Sequence, residues 1–194
     1  MSSIVISGDT SGAVTVSAPA IAGSNTLTLQ AATATNAINT RESAVTCAGQ
    51  TSIDFSSLPS WIKKITILFN GVSTSGTSNF LIQIGDSGGF ENTGYVSGSF
   101  DNSTASNSTI GFIASSQQIA TATWGGAITI SNLSGNVWVS SGTIASGTAG
   151  YLASSGGAKT LTDVLDRVRI TTVNGTDTFD TTPSAGTINI LYEG

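Results

Sequence analysis

One pattern constrains this chain more than any other: apolar residues recur at every second position. Ile65, Ile67 and Phe69 do so, as do Ile82 and Ile84, then Ile128 and Ile130. Val168 and Ile170 alternate with Arg167 and Arg169, and Ile188, Ile190 and Tyr192 lie near the end of the sequence. Ile4 with Ile6, Val14 with Val16, and Leu27 with Leu29 are three shorter pairs near the start. A strand points successive side chains to opposite faces, so each run offers one face to a core and one to water. The runs are short and bounded by Gly, Ser, Asn or Pro, the pattern of half-buried strands in antiparallel sheets. The expected fold is all-β, an antiparallel, jelly-roll-like β-sandwich with a short N-terminal β arm. Helix signals are scarce. Residues 33–42 fit a short helix or an extended linker, 158–165 fit one helical turn, and 56–60 read as a tight turn. The Gly- and Ser-rich stretches 101–108 and 140–150 read as surface loops.

Charge is the second constraint. Only 9% of the 194 residues are charged, against about 25% in an average domain. No apolar run approaches the ~18 residues of a membrane helix, so Ser, Thr, Asn and Gly must make a neutral, polar surface. Such a surface repels a neighbouring subunit little. The six cations, Arg41, Lys63, Lys64, Lys159, Arg167 and Arg169, are scattered. Phosphate recognition needs them clustered, which argues against nucleic acid as a partner. The opening Met-Ser-Ser-Ile-Val-Ile has no basic stretch before an apolar one, so no signal-directed export is expected. Cys47 is the single cysteine, which excludes an intrachain disulfide framework. Residues 1–40 are too few and too weakly apolar to bury a core alone, and read as an arm for attachment or trimerisation built on Ile4, Ile6, Val14, Val16, Leu27 and Leu29. Residues 41–194 hold every Trp and read as the sandwich.

Several motifs suggest chemistry. Gly85-Asp86-Ser87-Gly88-Gly89 matches the string around the nucleophile of trypsin-like proteases, but the chain has no His to activate a serine. A Gly-rich turn is expected there. Gly156-Gly157-Ala158-Lys159-Thr160 lacks the Gly that a phosphate-binding loop places directly before its Lys, and reads as a surface loop. Asp86 with Glu91, or Asp163 with Asp166, are the carboxylate pairs a glycosidase would need, yet acids in turns usually bind backbone N–H groups. Asp177 and Asp180 are too sparse in oxygen ligands for a calcium loop. Without His and with one Cys, zinc or copper has no donor set, and no cofactor is expected. Among the aromatics, Trp61 and Trp138 read as core, while Trp124, Tyr95 and Tyr151 are the candidates for exposed rings that could stack on a glycan.

Ile6-Ser7-Gly8-Asp9-Thr10-Ser11-Gly12, followed by Ala18-Pro19-Ala20-Ile21-Ala22-Gly23, resembles a segment common near the N-terminus of tailed-bacteriophage virion proteins. Leu58-Pro59-Ser60-Trp61-Ile62-Lys63-Lys64-Ile65 and Leu165-Asp166-Arg167-Val168-Arg169-Ile170 resemble parts of a β-sandwich domain in the same group. The resemblance implies a particle component, commonly homotrimeric, held to capsid or tail proteins by its N-terminal region. It also implies synthesis in the host cytoplasm and a place on the virion surface, as a short fibre or a capsid decoration (cement) protein without enzymatic activity. The competing readings are a lectin-like module for a host surface glycan and, less favoured, a polysaccharide hydrolase.

Overall fold

We describe the fold from a computed structural model, which covers residues 3–7, 13–17, 39–182 and 185–194. The chain divides into two compact units, residues 1–36 and 37–194. In the first, β1 (Ser3–Ser7) pairs antiparallel with β2 (Ala13–Ser17), setting Ile4 opposite Val16 and Ile6 opposite Val14. Leu27 and Leu29 lie outside the described residues.

The second unit holds the other strands, β3 (Asn39–Arg41), β4 (Val45–Thr46), β5 (Ile53–Ser56), β6 (Lys64–Val72), β7 (Phe80–Asp86), β8 (Gly89–Phe90), β9 (Val96–Asp101) and β10 (Thr104–Ser108). They continue with β11 (Phe112–Ile113), β12 (Trp124–Ser134), β13 (Val137–Ser146), β14 (Tyr151–Thr160), β15 (Arg167–Thr172) and β16 (Thr187–Glu193). Among the described residues there is no helix. A wide sheet runs β10-β9-β14-β13-β12-β6-β16-β3, with β4 also on β16; a narrow sheet runs β11-β7-β15-β5, with β8 on β7. Every pairing is antiparallel, and the two sheets pack face to face as a β-sandwich.

The order is that of a ribbon folded over on itself. β9 pairs with β10, β7 with β11, β6 with β12 and β5 with β15. These pairs are nested in sequence and fall alternately in the wide and narrow sheets, which is the jelly-roll arrangement. β13 and β14 insert between β12 and β9, and β16 extends the wide sheet beyond β6.

The alternating residues supply the core. Ile65, Ile67, Ile128, Ile130, Ile188 and Ile190 come inward from the wide sheet, and Ile82, Ile84, Val168 and Ile170 from the narrow one. Each such side chain stabilises the fold by about 1.5–3 kcal/mol on burial. A bulge shifts the β6–β12 register, with Gly71 at φ +64° in the left-handed region. It lets Phe69 and Val72, three positions apart, both point inward.

The stretches expected as loops differ. Residues 101–108 span the end of β9, a two-residue turn and β10, and most of 140–150 lies in β13. Gly156 to Thr160 completes β14 rather than forming a loop, so residues 158–165 hold no helical turn. At Gly157 the small residue answers crowding, not turning. A Cβ on Gly157 would sit 2.9 Å from the Phe112 ring and 2.5 Å from the Val96 carbonyl. Residues 39–41 at the end of the ambiguous 33–42 stretch are strand, while 33–38 lie outside the described residues. The turn expected at 56–60 falls later: Ser56 ends β5, and Ile62 N–H donates to the Pro59 carbonyl at 3.2 Å, closing a turn over residues 59–62.

Candidate functional site

The three rings considered for glycan stacking do not form an exposed platform. Trp124 is fully buried, edge-on to Phe80 at 6.4 Å. It opens β12 on the same face as Ile128 and Ile130, so the strand itself turns it inward. Tyr95 is buried as well, because its hydroxyl is used inside: it accepts from Ile84 N–H at 2.9 Å and lies 3.0 Å from the Glu91 carbonyl that it can donate to. Burial pushes its phenol pKa up. Tyr151 is half-buried, with its ring against Trp124 at 6.4 Å. Trp138 is core as expected, and Trp61 is half-buried against Tyr192 at 5.7 Å.

The fold does bring Asp86 and Glu91 together, on a shared structural partner. Thr162 Oγ1 lies 2.7 Å from Asp86 Oδ2 and 2.8 Å from Glu91 Oε1, and Thr162 N–H donates to Glu91 Oε1 at 2.7 Å. Lys159, inward on β14, forms an ion pair with Glu91 and places its ammonium 5.3 Å from the Tyr95 ring centre. The Thr162 hydroxyl and the Gly88 N–H hold Asp86 below the usual carboxylate range. Burial pushes Glu91 up, but the Lys159 ammonium and the Thr162 donors outweigh it and hold it low as well. One hydroxyl carries one hydrogen, so Thr162 serves the two carboxylates in turn and pulls fully on only one. A glycosidase needs one carboxyl held high as its acid; both of these are held low.

The remaining acids are also engaged. Asp163 Oδ1 accepts from Val164 N–H, Asp166 pairs with Arg167, Asp177 accepts from Ser78 N–H, and Asp180 accepts from the Ser73 hydroxyl. Asp101, fully buried, accepts from Ser116 N–H and Gln117 N–H. Every carboxylate among the described residues accepts at least one hydrogen bond from its own chain. Among the described residues, no three His, Cys, Asp or Glu side chains gather as a metal set. Ser87 is exposed in the two-residue turn between β7 and β8, where Gly88 N–H donates to Asp86 Oδ1 at 2.8 Å.

What the alternation did not reveal is the exterior of the wide sheet. Across β10, β9, β14, β13 and β12, no outward position carries a charge; those positions hold Ser, Thr, Ala, Gly and Asn with a few larger apolar residues. Val96 is 75% exposed, Leu152 55% and Phe100 52%. Charge on this sheet's exterior begins at β6 and β16, where Lys64 meets Glu193 at 3.0 Å. The narrow sheet is the opposite case. Arg169 binds Asp54 with two hydrogen bonds, at 2.8 and 2.7 Å, and Arg167 pairs with Asp166. Arg169 also lies 4.2 Å over the Phe90 ring.

No family model, no curated protein and no solved structure matches this chain.

Proposed function

We propose that the chain is a non-enzymatic structural protein of a tailed-bacteriophage particle, standing on the virion surface as a short fibre or a capsid decoration protein. The observation that carries this reading is the uncharged exterior spanning five strands of the wide sheet. Isolated soluble domains rarely leave so wide a face without charge, whereas packed assemblies use such faces. The commitment of the carboxylates to hydrogen bonds within the chain agrees with a structural role. The strings at residues 6–12, 58–65 and 165–170 give the reading its virion setting. Its partners are then further copies of itself, as a homotrimer by resemblance, and capsid or tail proteins.

The test is the protein's abundance in purified particles, measured by quantitative mass spectrometry against the major capsid protein. A ratio near one per capsid subunit makes it a decoration protein, and a few copies per particle make it a fibre. Absence from purified particles refutes the reading.

A further inference from the structure

Two features lie side by side on the uncharged face. One is Phe100 of β9, a large ring more than half exposed. The other is a hollow in which Gly98 of β9 stands directly opposite Gly156 of β14 in the register. Gly98 shares the outward side with Phe100, two residues away, about 7 Å along the strand. Glycine inside a strand weakens it, and it commonly marks a place where another backbone or a ligand comes close.

Nothing inside the subunit requires these two glycines. Neither has a left-handed φ, and a Cβ on Gly98 would have the Ser106 carbonyl oxygen as its nearest neighbour, at 3.6 Å. On Gly156 the nearest atom would be the Ser140 carbonyl oxygen, at 3.4 Å. Gly157, one residue on, contrasts with both: a Cβ there would clash inside the fold. The hollow therefore faces outward and is not a by-product of core packing. Val96 and Val139, two strands apart in one row with Ala158 between them, close its far side, and Leu152 lies beyond Phe100.

We infer that this face binds a second copy of the same chain, with each Phe100 seated in the Gly98–Gly156 hollow of the other. A ring and a hollow adjacent on one flat face complement themselves under a half-turn, the geometry of an isologous contact. Charge points to the same partner. The chain carries a net charge of −5, so two copies repel in general and meet at least cost where neither presents a charge. The area suffices. Three strands of about ten residues and two shorter ones, at ~4.8 Å spacing and ~3.4 Å rise, cover roughly 700 Å², close to the ~800 Å² per partner of a standard interface. The inference rests on the assembly reading and names the partner and the surface used.

The test is the molar mass of the purified full-length chain by light scattering, beside its Phe100→Asp and Gly98→Thr variants. At about 50 μM, in the range of a micromolar association, the unmodified chain is expected at an even multiple of 19.4 kDa, two chains or, where the trimer forms as well, six. Phe100→Asp places an unpaired carboxylate in the uncharged hollow of each partner, and Gly98→Thr fills the hollow. Each is expected to halve the mass, with circular dichroism and melting temperature kept or, for Gly98→Thr, raised. An unmodified chain that is monomeric or trimeric at this concentration overturns the inference, as does a mass that neither substitution changes. This readout needs no particle, so its failure is distinct from absence of the protein from virions.

Discussion

Replacing Lys159 with Met isolates one half of the buried polar cluster. The Lys159 side chain is 6% exposed and that of Glu91 17%. Two unit charges in contact attract by about 4–6 kcal/mol at an effective dielectric of ~20, and desolvation offsets most of this. Deleting the ammonium leaves Glu91 ionised, enclosed and served only by the Thr162 N–H and hydroxyl. Breaking a buried pair from one side costs about 3–5 kcal/mol. The Thr162 bonds persist in the variant, Met fills the space of the lysine stem, and some solvent reaches Glu91, so the expected loss at pH 7 is about 2 kcal/mol. Its pH dependence follows from the two folded states. In the unmodified chain Glu91 is held low; its contribution is complete above the ordinary carboxylate range and disappears as pH falls through the folded value. In the variant, burial without a cation raises Glu91, so the penalty exists above that raised value and is relieved as pH falls. The stability gap between the two proteins should therefore narrow from both sides between pH 7 and about 4. Urea unfolding followed by tryptophan fluorescence reads this, because Trp61, Trp124 and Trp138 all lie in the 37–194 unit. A loss of ~2 kcal/mol moves the midpoint by about 1 M urea. The double variant Lys159→Met, Glu91→Gln should recover a large part of it. A loss below about 0.5 kcal/mol with no pH dependence would mean that the pair is screened like an exposed one and that the cluster does not hold β14 to the β8–β9 connection.

Two further outcomes follow from the core. Burial raises the Cys47 thiol to about 12, so at pH 8 a thiol reagent should leave the folded chain unlabelled and take up one equivalent in urea; fast labelling without denaturant would contradict the packing around β4. The same shift stabilises the fold below the ordinary thiol pKa of ~8.5, and the benefit is lost as pH rises through that value towards the folded one. Trp124→Ala should cost about 3–5 kcal/mol, and Trp124→Phe clearly less, since the indole Nε1 has no hydrogen-bond partner to lose. An unfolding midpoint unchanged in Trp124→Ala would return the ring to the surface.

The strands visible in the sequence were those where Ile or Val alternates with polar residues, as in Ile65-Thr66-Ile67 and Ile128-Thr129-Ile130. β9, β10, β13 and β14 escaped because hydropathy treats Ser and Gly as loop formers. In these strands the inward ones are small because a large side chain from the facing sheet or the neighbouring strand lies against them, while others, Gly98 and Gly156 among them, face outward. Gly157 leaves room for Phe112, and a Cβ on Gly142 would lie 2.6 Å from Ile128 Cα. The inward side of Trp124 was legible, since it shares the parity of Ile128 and Ile130; the adjoining Gly125-Gly126 obscured it by suggesting a loop. The contact of Glu91 with Lys159 was not legible. It depends on β14 lying beside β9 after the β12-β13-β14 meander, and alternation assigns faces but not neighbours.

The low charge of this chain is unevenly placed, and the placement carries the meaning. Had charge been scarce merely because the surface uses hydroxyls and amides instead, the few ionic groups would be spread over both exteriors. They gather on the narrow sheet, where Arg169–Asp54 and Arg167–Asp166 form ion pairs, and at the β6–β16 side of the wide sheet. Lys159 is turned inward from the middle of the uncharged region and neutralised by Glu91. Val96, Phe100 and Leu152 stay exposed on strands that have ample Ser and Thr. A strand seeking only water would carry Lys or Glu at such positions, which also guards against edge pairing and aggregation. An absent charge, an exposed ring and two glycines that the fold does not require lie together on β9 and β14, so a single explanation, contact with another subunit, accounts for all three.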